Sequence, residues 1–206
     1  MPSTSKVIAI GNVLRADIRG FVIASRIPEP EVPTFGTFVR APIQHDRAQL
    51  IGLVYDIRLQ DDPFLRNLAV TVRSGDPAFD EIIADQRDNR VIPVEISVAS
   101  VAYHYLDDPQ CRYGLPPQPP MILHQITVCA SEEVQRITRS PDFMRALLDN
   151  RDIPADELIP TALLRAAPLH AKAEYDFLLD AGRYLARNLG RDPARLERIL
   201  QRIAWA

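Results

Sequence analysis

The stretch that most constrains the fold of this 206-residue chain is residues 36–57, GTFVRAPIQHDRAQLIGLVYDI. Two apolar runs, residues 37–43 and 49–57, flank the polar, turn-prone Gln44, His45, Asp46 and Arg47, which predicts two antiparallel strands joined by a short loop. In the second run Ile51, Leu53, Tyr55 and Ile57 alternate with Gly52, Val54 and Asp56, the period of a half-buried strand. Gly52 weakens such a strand unless a bulge, a barrel corner or the close approach of another backbone requires it. Gly36 opens the first strand and Pro42 stands near its end, a position compatible with an edge or a strand terminus. Small, sharply bent barrels have these features.

Four further strands follow from the same reading. Residues 6–14 form the first, with Val7 and Ala9 on one face and Ile8 and Ile10 on the other, followed by a polar turn at 15–19. Residues 20–24 form the second. Pro28, Pro30 and Pro33 make the connection to Gly36 extended and devoid of ladder bonds. Residues 90–105, rich in β-branched and aromatic side chains, form the fifth strand, and residues 121–129 (MILHQITVC) the last. Between the fourth and fifth, Asp61-Asp62-Pro63 and Asp76-Pro77 resemble helix starts, so a helical insertion is expected at about 61–90. A stiff loop containing Pro109 and Pro116, Pro117, Pro119 and Pro120 precedes the last strand.

From residue 131 onward the pattern is helical. Ser131 before Glu132 and Glu133, and Ser140 before Pro141 and Asp142, read as N-caps with acids in the first turn. A short helix is expected at 161–166, a longer one at 170–189 with Leu178, Ala181, Leu185 and Leu189 on one side, and a last one after Asp192-Pro193 carrying Leu196, Ile199, Leu200 and Ile203. The expected fold is α+β: a small six-stranded antiparallel β-barrel with an insertion (residues 1–130), then a helical C-terminal region (131–206).

Charge and motif content narrow the function classes. Lys plus Arg number 24 against 27 Asp plus Glu, and the deficit lies in residues 1–130. This is not the basic footprint of a nucleic-acid binder. No glycine pattern builds a phosphate-binding loop, no nucleophile elbow is present, and the four histidines lack metal-ligand spacing. His104 and His124 fall in strands expected to be adjacent, near Cys129, where they could meet. Cys111 and Cys129 form no C-x-x-C pair, although one disulfide between them is open, and a reducing cytoplasm is the default. Asp61-Asp62 and Asp107-Asp108 read as turn or cap residues ahead of prolines. Arg183, Arg187, Arg191, Arg195, Arg198 and Arg202 recur every three or four residues, as on a solvated amphipathic face or a basic stripe. No catalytic, cofactor-binding or metal-binding residue is assigned.

The barrel part resembles the HAS-barrel family, shared by HerA-type DNA-translocating ATPases and the catalytic subunits of rotary ATP synthases. The resembling residues are Ile8, Ala9, Ile10 and Gly11; Gly20, Phe21, Val22 and Ile23; residues 36–42; residues 50–57; and the LPPQPP turn at 115–120 followed by Ser131, Glu132 and Glu133. Coverage is about residues 6–133. HerA-type proteins carry a P-loop motor after the barrel, and this chain does not. The resemblance therefore implies a non-catalytic assembly or adaptor module, without a cofactor, that self-associates or docks on a HerA-type ATPase or its NurA-type nuclease. Two alternatives stand beside it: a single-stranded nucleic-acid-binding barrel, and an enzyme whose site is assembled from scattered residues such as Asp61 and His104.

Overall fold

The structure, a computed structural model, describes residues 8–25, 33–59, 94–108 and 110–204. The insertion expected at 61–90 lies outside the described residues. Seven strands form one antiparallel sheet: β1 (Ala9–Ala16), β2 (Gly20–Ser25), β3 (Phe38–Ile43), β4 (Ala48–Leu59), β5 (Val94–Tyr105), β6 (Arg112–Tyr113) and β7 (Gln125–Val128). The order β2-β1-β7-β3-β4-β5 closes on itself because β5 also pairs with β2, which makes a six-stranded barrel. The two-residue β6 continues the edge of β5 beyond the end of β2, with Ala102 opposite Tyr113. The fold is α+β, as the sequence predicts.

The central hairpin is β3–β4, in register from Phe38 opposite Leu53 to Ile43 opposite Ala48. Its loop holds Gln44, His45 and Asp46 in left-handed backbone, with φ of 53°, 56° and 62°. Two bulges bend the long β4–β5 pair. Ile51 faces Ala102 while Gly52 faces Ser100, so Val101 is the extra residue on β5; further along, Tyr55 is the extra residue on β4. A Cβ on Gly52 would lie 2.3 Å from Val98 Cγ1 and 2.9 Å from the Ala99 carbonyl oxygen. Gly52 thus serves the close approach of β5, one of the three uses open to a strand glycine.

β4 is buried on both faces, not half-buried as its alternation suggests. Leu50 and Val54 point into the barrel with Ile10, Ile23, Val39 and Ile126. Ile51 and Leu53 lie in a second cluster with Phe38, Val101 and the helical residues Ile137, Phe143, Leu147, Leu158 and Leu185. The helices cover the apolar face with Ile51 and Leu53, while the face that the alternation leaves to solvent, with Val54, turns into the closed barrel. Each fully buried aliphatic side chain contributes about 1.5–3 kcal/mol, an upper range for transfer from water.

The helical region comprises α1 (Ser131–Ile137), α2 (Arg145–Leu148), α3 (Ala155–Ala166), α4 (Glu174–Asn188) and α5 (Pro193–Ala204), with 3₁₀ turns at Pro141–Met144 and Ala167–Ala173. α1 starts one residue earlier in its capping than expected: Ala130 is the cap, and its N–H donates to the Glu133 carboxylate at 2.9 Å. Ser140 accepts from the Asp142 N–H, and Asp192 from the Arg195 N–H, as their sequence contexts predict. α3 runs straight through Pro160, replacing the short helix expected at 161–166. α4 begins at Glu174, not 170, because the preceding residues take the tighter 3₁₀ form.

Specific contacts lock helices to barrel. Arg40 on β3 reaches Glu133 at 2.8 Å, and Tyr113 donates to the Ile137 carbonyl at 2.8 Å. Gly36, at φ 76°, lets the hairpin entry approach α3 so closely that a Cβ there would lie 2.6 Å from Thr161 Cγ2. Among the described residues no helix is long and apolar enough to cross a membrane.

Candidate functional surface

The residues that sequence reasoning singled out for chemistry are not brought together. β7 inserts between β1 and β3, away from β5, so His104 and His124 are not on neighbouring strands; that expectation is corrected. His104 is buried on β5. Its Nδ1 lies 3.2 Å from the Tyr105 carbonyl and its Nε2 3.2 Å from Arg136 Nη2. A carbonyl and a guanidinium leave one arrangement for a neutral ring: Nδ1–H donates and Nε2 accepts. His124 precedes β7 and turns its Nδ1 toward the Pro42 carbonyl at 3.4 Å. Among the described residues no group of three or more His, Cys, Asp or Glu side chains could hold a metal ion.

Both cysteines are free thiols. Burial pushes the Cys129 thiol well above its ordinary range. Cys111 is half-buried, and its thiol is raised by burial despite the nearby Arg136 and Arg139 guanidinium groups. The neighbouring Tyr113 hydroxyl is pushed up to about 12, again chiefly by burial. None of these shifts produces an activated nucleophile at neutral pH.

Asp108 is a turn residue: it accepts from the Gln110 N–H at 3.0 Å and from Arg112 at 2.7 Å. Asp61 and Asp62 lie outside the described residues. Most of the arginine stripe is committed within the molecule. Arg195 and Arg198 pair with Asp156, Arg202 with Glu157 and Arg183 with Asp180. At the hairpin end of the barrel an open cleft of about 530 Å³ is lined by Gln44, Asp46, Arg47, Tyr105, Leu106 and Asp107. Its one aromatic, Tyr105, is covered by the Arg112 guanidinium 4.8 Å from the ring centroid. That guanidinium occupies one face on which a base would stack.

The feature that sequence reasoning missed lies before β7. Residues 121–124 are a turn, and only Gln125–Val128 is strand. The turn presents Met121, Ile122 and Leu123 to solvent, 57%, 64% and 76% exposed. Leu123 has φ 69°, a left-handed conformation that costs a non-glycine residue about 1–2 kcal/mol. Two backbone bonds to β1 hold it: Leu123 N–H donates to the Val13 carbonyl, and Val13 N–H to the His124 carbonyl, both at 2.9 Å. Leu14, next along β1, is itself 41% exposed. From Tyr113 to Ser131 the chain contains no Asp, Glu, Lys or Arg. Within the loop, Pro116 and Pro120 are buried and fix its path, while Leu115 is exposed.

Three consecutive large apolar side chains held outward by strained backbone in an uncharged loop are suited to binding an apolar protein surface. No protein-family model and no curated protein matches this chain.

Proposed function

We propose that the chain is a non-catalytic assembly module that docks a protein through the apolar turn at Met121, Ile122 and Leu123. The observation that carries this reading is the outward, strained presentation of that turn. Leaving these side chains in water forgoes about 1.5 kcal/mol or more apiece in burial, and the Leu123 backbone adds its own cost. The exposure cost is recovered when a partner covers the turn, and the backbone cost at Leu123 is already met within the free chain by its bonds to β1.

The finer reading is a HAS-type barrel without the motor, serving a HerA-type ATPase, its NurA-type nuclease or a further copy of the chain. It is supported by the closed six-stranded barrel, whose last strand β7 follows the proline loop and leads directly into the helices at Ser131. Arg112 over one face of Tyr105 and the carboxylates of Asp46 and Asp107 in the same cleft disfavour the nucleic-acid alternative. The test is the cross-linked mass of the protein in its own cells. After cross-linking in the intact cells, the wild-type chain migrates well above the 23.2 kDa of one protomer, and Ile122→Asp, whose circular dichroism is unchanged, shifts it toward that mass. Migration of the wild type at one protomer's mass would oppose the proposal.

A further inference from the structure

We infer that the partner at the apolar turn is a second copy of the chain, docked about a two-fold axis. This rests on the assembly reading above and names its partner. A two-fold interface sets one patch against itself, so any formal charge near its centre meets its own like charge. The uncharged run from Tyr113 to Ser131 leaves the turn itself without charge, and the exposed hairpin loop beside it, which follows the Pro42 that meets His124, carries one charge of each sign, Asp46 and Arg47. Charges of both signs begin where the face ends: Arg15 follows Leu14 and pairs with Glu95 at 2.9 Å, and Asp17 lies two residues further on. An uncharged centre with a mixed rim is self-complementary.

The area points the same way. Met121, Ile122, Leu123 and Leu14 together expose roughly half of the ~800 Å² that each partner contributes to a standard interface. With the exposed Leu115 and Pro117 of the same loop the patch reaches the low end of specific interfaces, which suits a weak, reversible dimer. Preorganisation helps, because the two bonds from Val13 fix the turn before association and little ordering is left to be done.

The test is sedimentation velocity on the purified chain from about 1 to 200 μM, the range that brackets a micromolar constant. The wild type passes from one to two protomer masses across that range. Leu123→Gly removes the apolar side chain at a φ that glycine adopts freely, so it keeps the fold and stays at one mass. In a Cys111→Ser background, Leu123→Cys forms a disulfide-linked dimer under mild oxidation, since a two-fold axis at the turn brings the two copies of this position together. A dimer that survives Leu123→Gly uses another face and overturns the inference. A wild type that stays monomeric at 200 μM also overturns it. In that case a photo-cross-link from position 122 to a different protein in the native extract leaves the assembly reading standing, and the absence of any cross-link removes both.

Discussion

Replacing Gly52 by alanine is a direct probe of how the barrel closes. The added methyl would stand 2.3 Å from Val98 Cγ1 and 2.9 Å from the Ala99 carbonyl oxygen. The first neighbour is a β-branched side chain buried in the barrel, and the second is backbone, so neither yields without moving β5. Overpacking a well-packed core costs about 1–3 kcal/mol. For a chain of this size each kcal/mol lowers the melting temperature by about 2–4 °C, so Gly52→Ala loses about 2–12 °C. Gly182 supplies the control. It lies inside α4, and its Cβ would meet only Leu200 Cδ2, at 3.8 Å. There alanine gains helix propensity of up to about 1 kcal/mol, and the melting temperature rises. Val98→Ala removes one of the two clashes at Gly52, so the double variant loses less than the sum of the two singles. Thermal and urea unfolding of the four variants measure all of this. If Gly52→Ala is as stable as the wild type, or Gly182→Ala shifts stability in the same direction as Gly52→Ala, the close-approach account of the barrel corner is wrong.

Further outcomes follow from individual contacts. Arg40→Ala breaks the half-buried bond to Glu133 and the 2.9 Å bond from Arg40 Nε to Thr127 Oγ1, and should cost about 1–3 kcal/mol in urea unfolding; a change below about 0.5 kcal/mol would mean that the clamp between β3 and α1 is not a stabilising one. Ellman's reagent at pH 8 should titrate Cys111 slowly in the folded protein and Cys129 only after unfolding, because Cys129 is buried; two equally fast thiols would contradict the packing. His170 stacks on Phe177 with ring centroids 4.2 Å apart, and burial together with the Arg139 charge lowers its pKa below the ordinary 6.5. Between the lowered value and 6.5 the unfolded chain binds more protons, so the contribution of His170 is fully present above pH 6.5 and is lost as pH falls below it. His170→Gln should flatten the pH dependence of stability in that range, and an unchanged slope would count against the assignment.

Local pattern carried the centre of the fold and failed where distant elements decide. The β3–β4 hairpin was legible because both of its strands and its polar loop fall within residues 36–57, and the position of Gly52 already pointed to a bend. The faces of β1 were not. Simple alternation puts Ile8 with Ile10, but irregular pairing at Ala9/Gly11 and Val13/Arg15 turns Ile10 and Val13 inward and leaves Ile8 exposed, and the strand runs on to Ala16. Burial of β4 on both faces was not legible, because Leu50 and Val54 fill the barrel while Ile51 and Leu53 meet helices more than seventy residues away, which no window of the sequence contains. Pro160 suggested a helix boundary, yet α3 passes through it with Leu158, Ile159 and Leu163 packed in the core on either side. The pairing of β7 between β1 and β3 is a matter of topology, so the relation of His104 to His124 was out of reach. The apolar turn was hidden most thoroughly: Met121, Ile122 and Leu123 have strand propensity, and only the positive φ at Leu123 shows that they leave the ladder.

Docking of a protein on the turn at Met121, Ile122 and Leu123 is the proposal on which the function rests. The most direct measurement places a photo-cross-linking benzoylphenylalanine at position 122 in the chain expressed in its own cells, with the same probe at Tyr175 on α4 as the exposed reference. After irradiation, position 122 should give one strong cross-linked species whose second component is a single protein, and position 175 only diffuse background. Equal, weak labelling from both positions would contradict the claim.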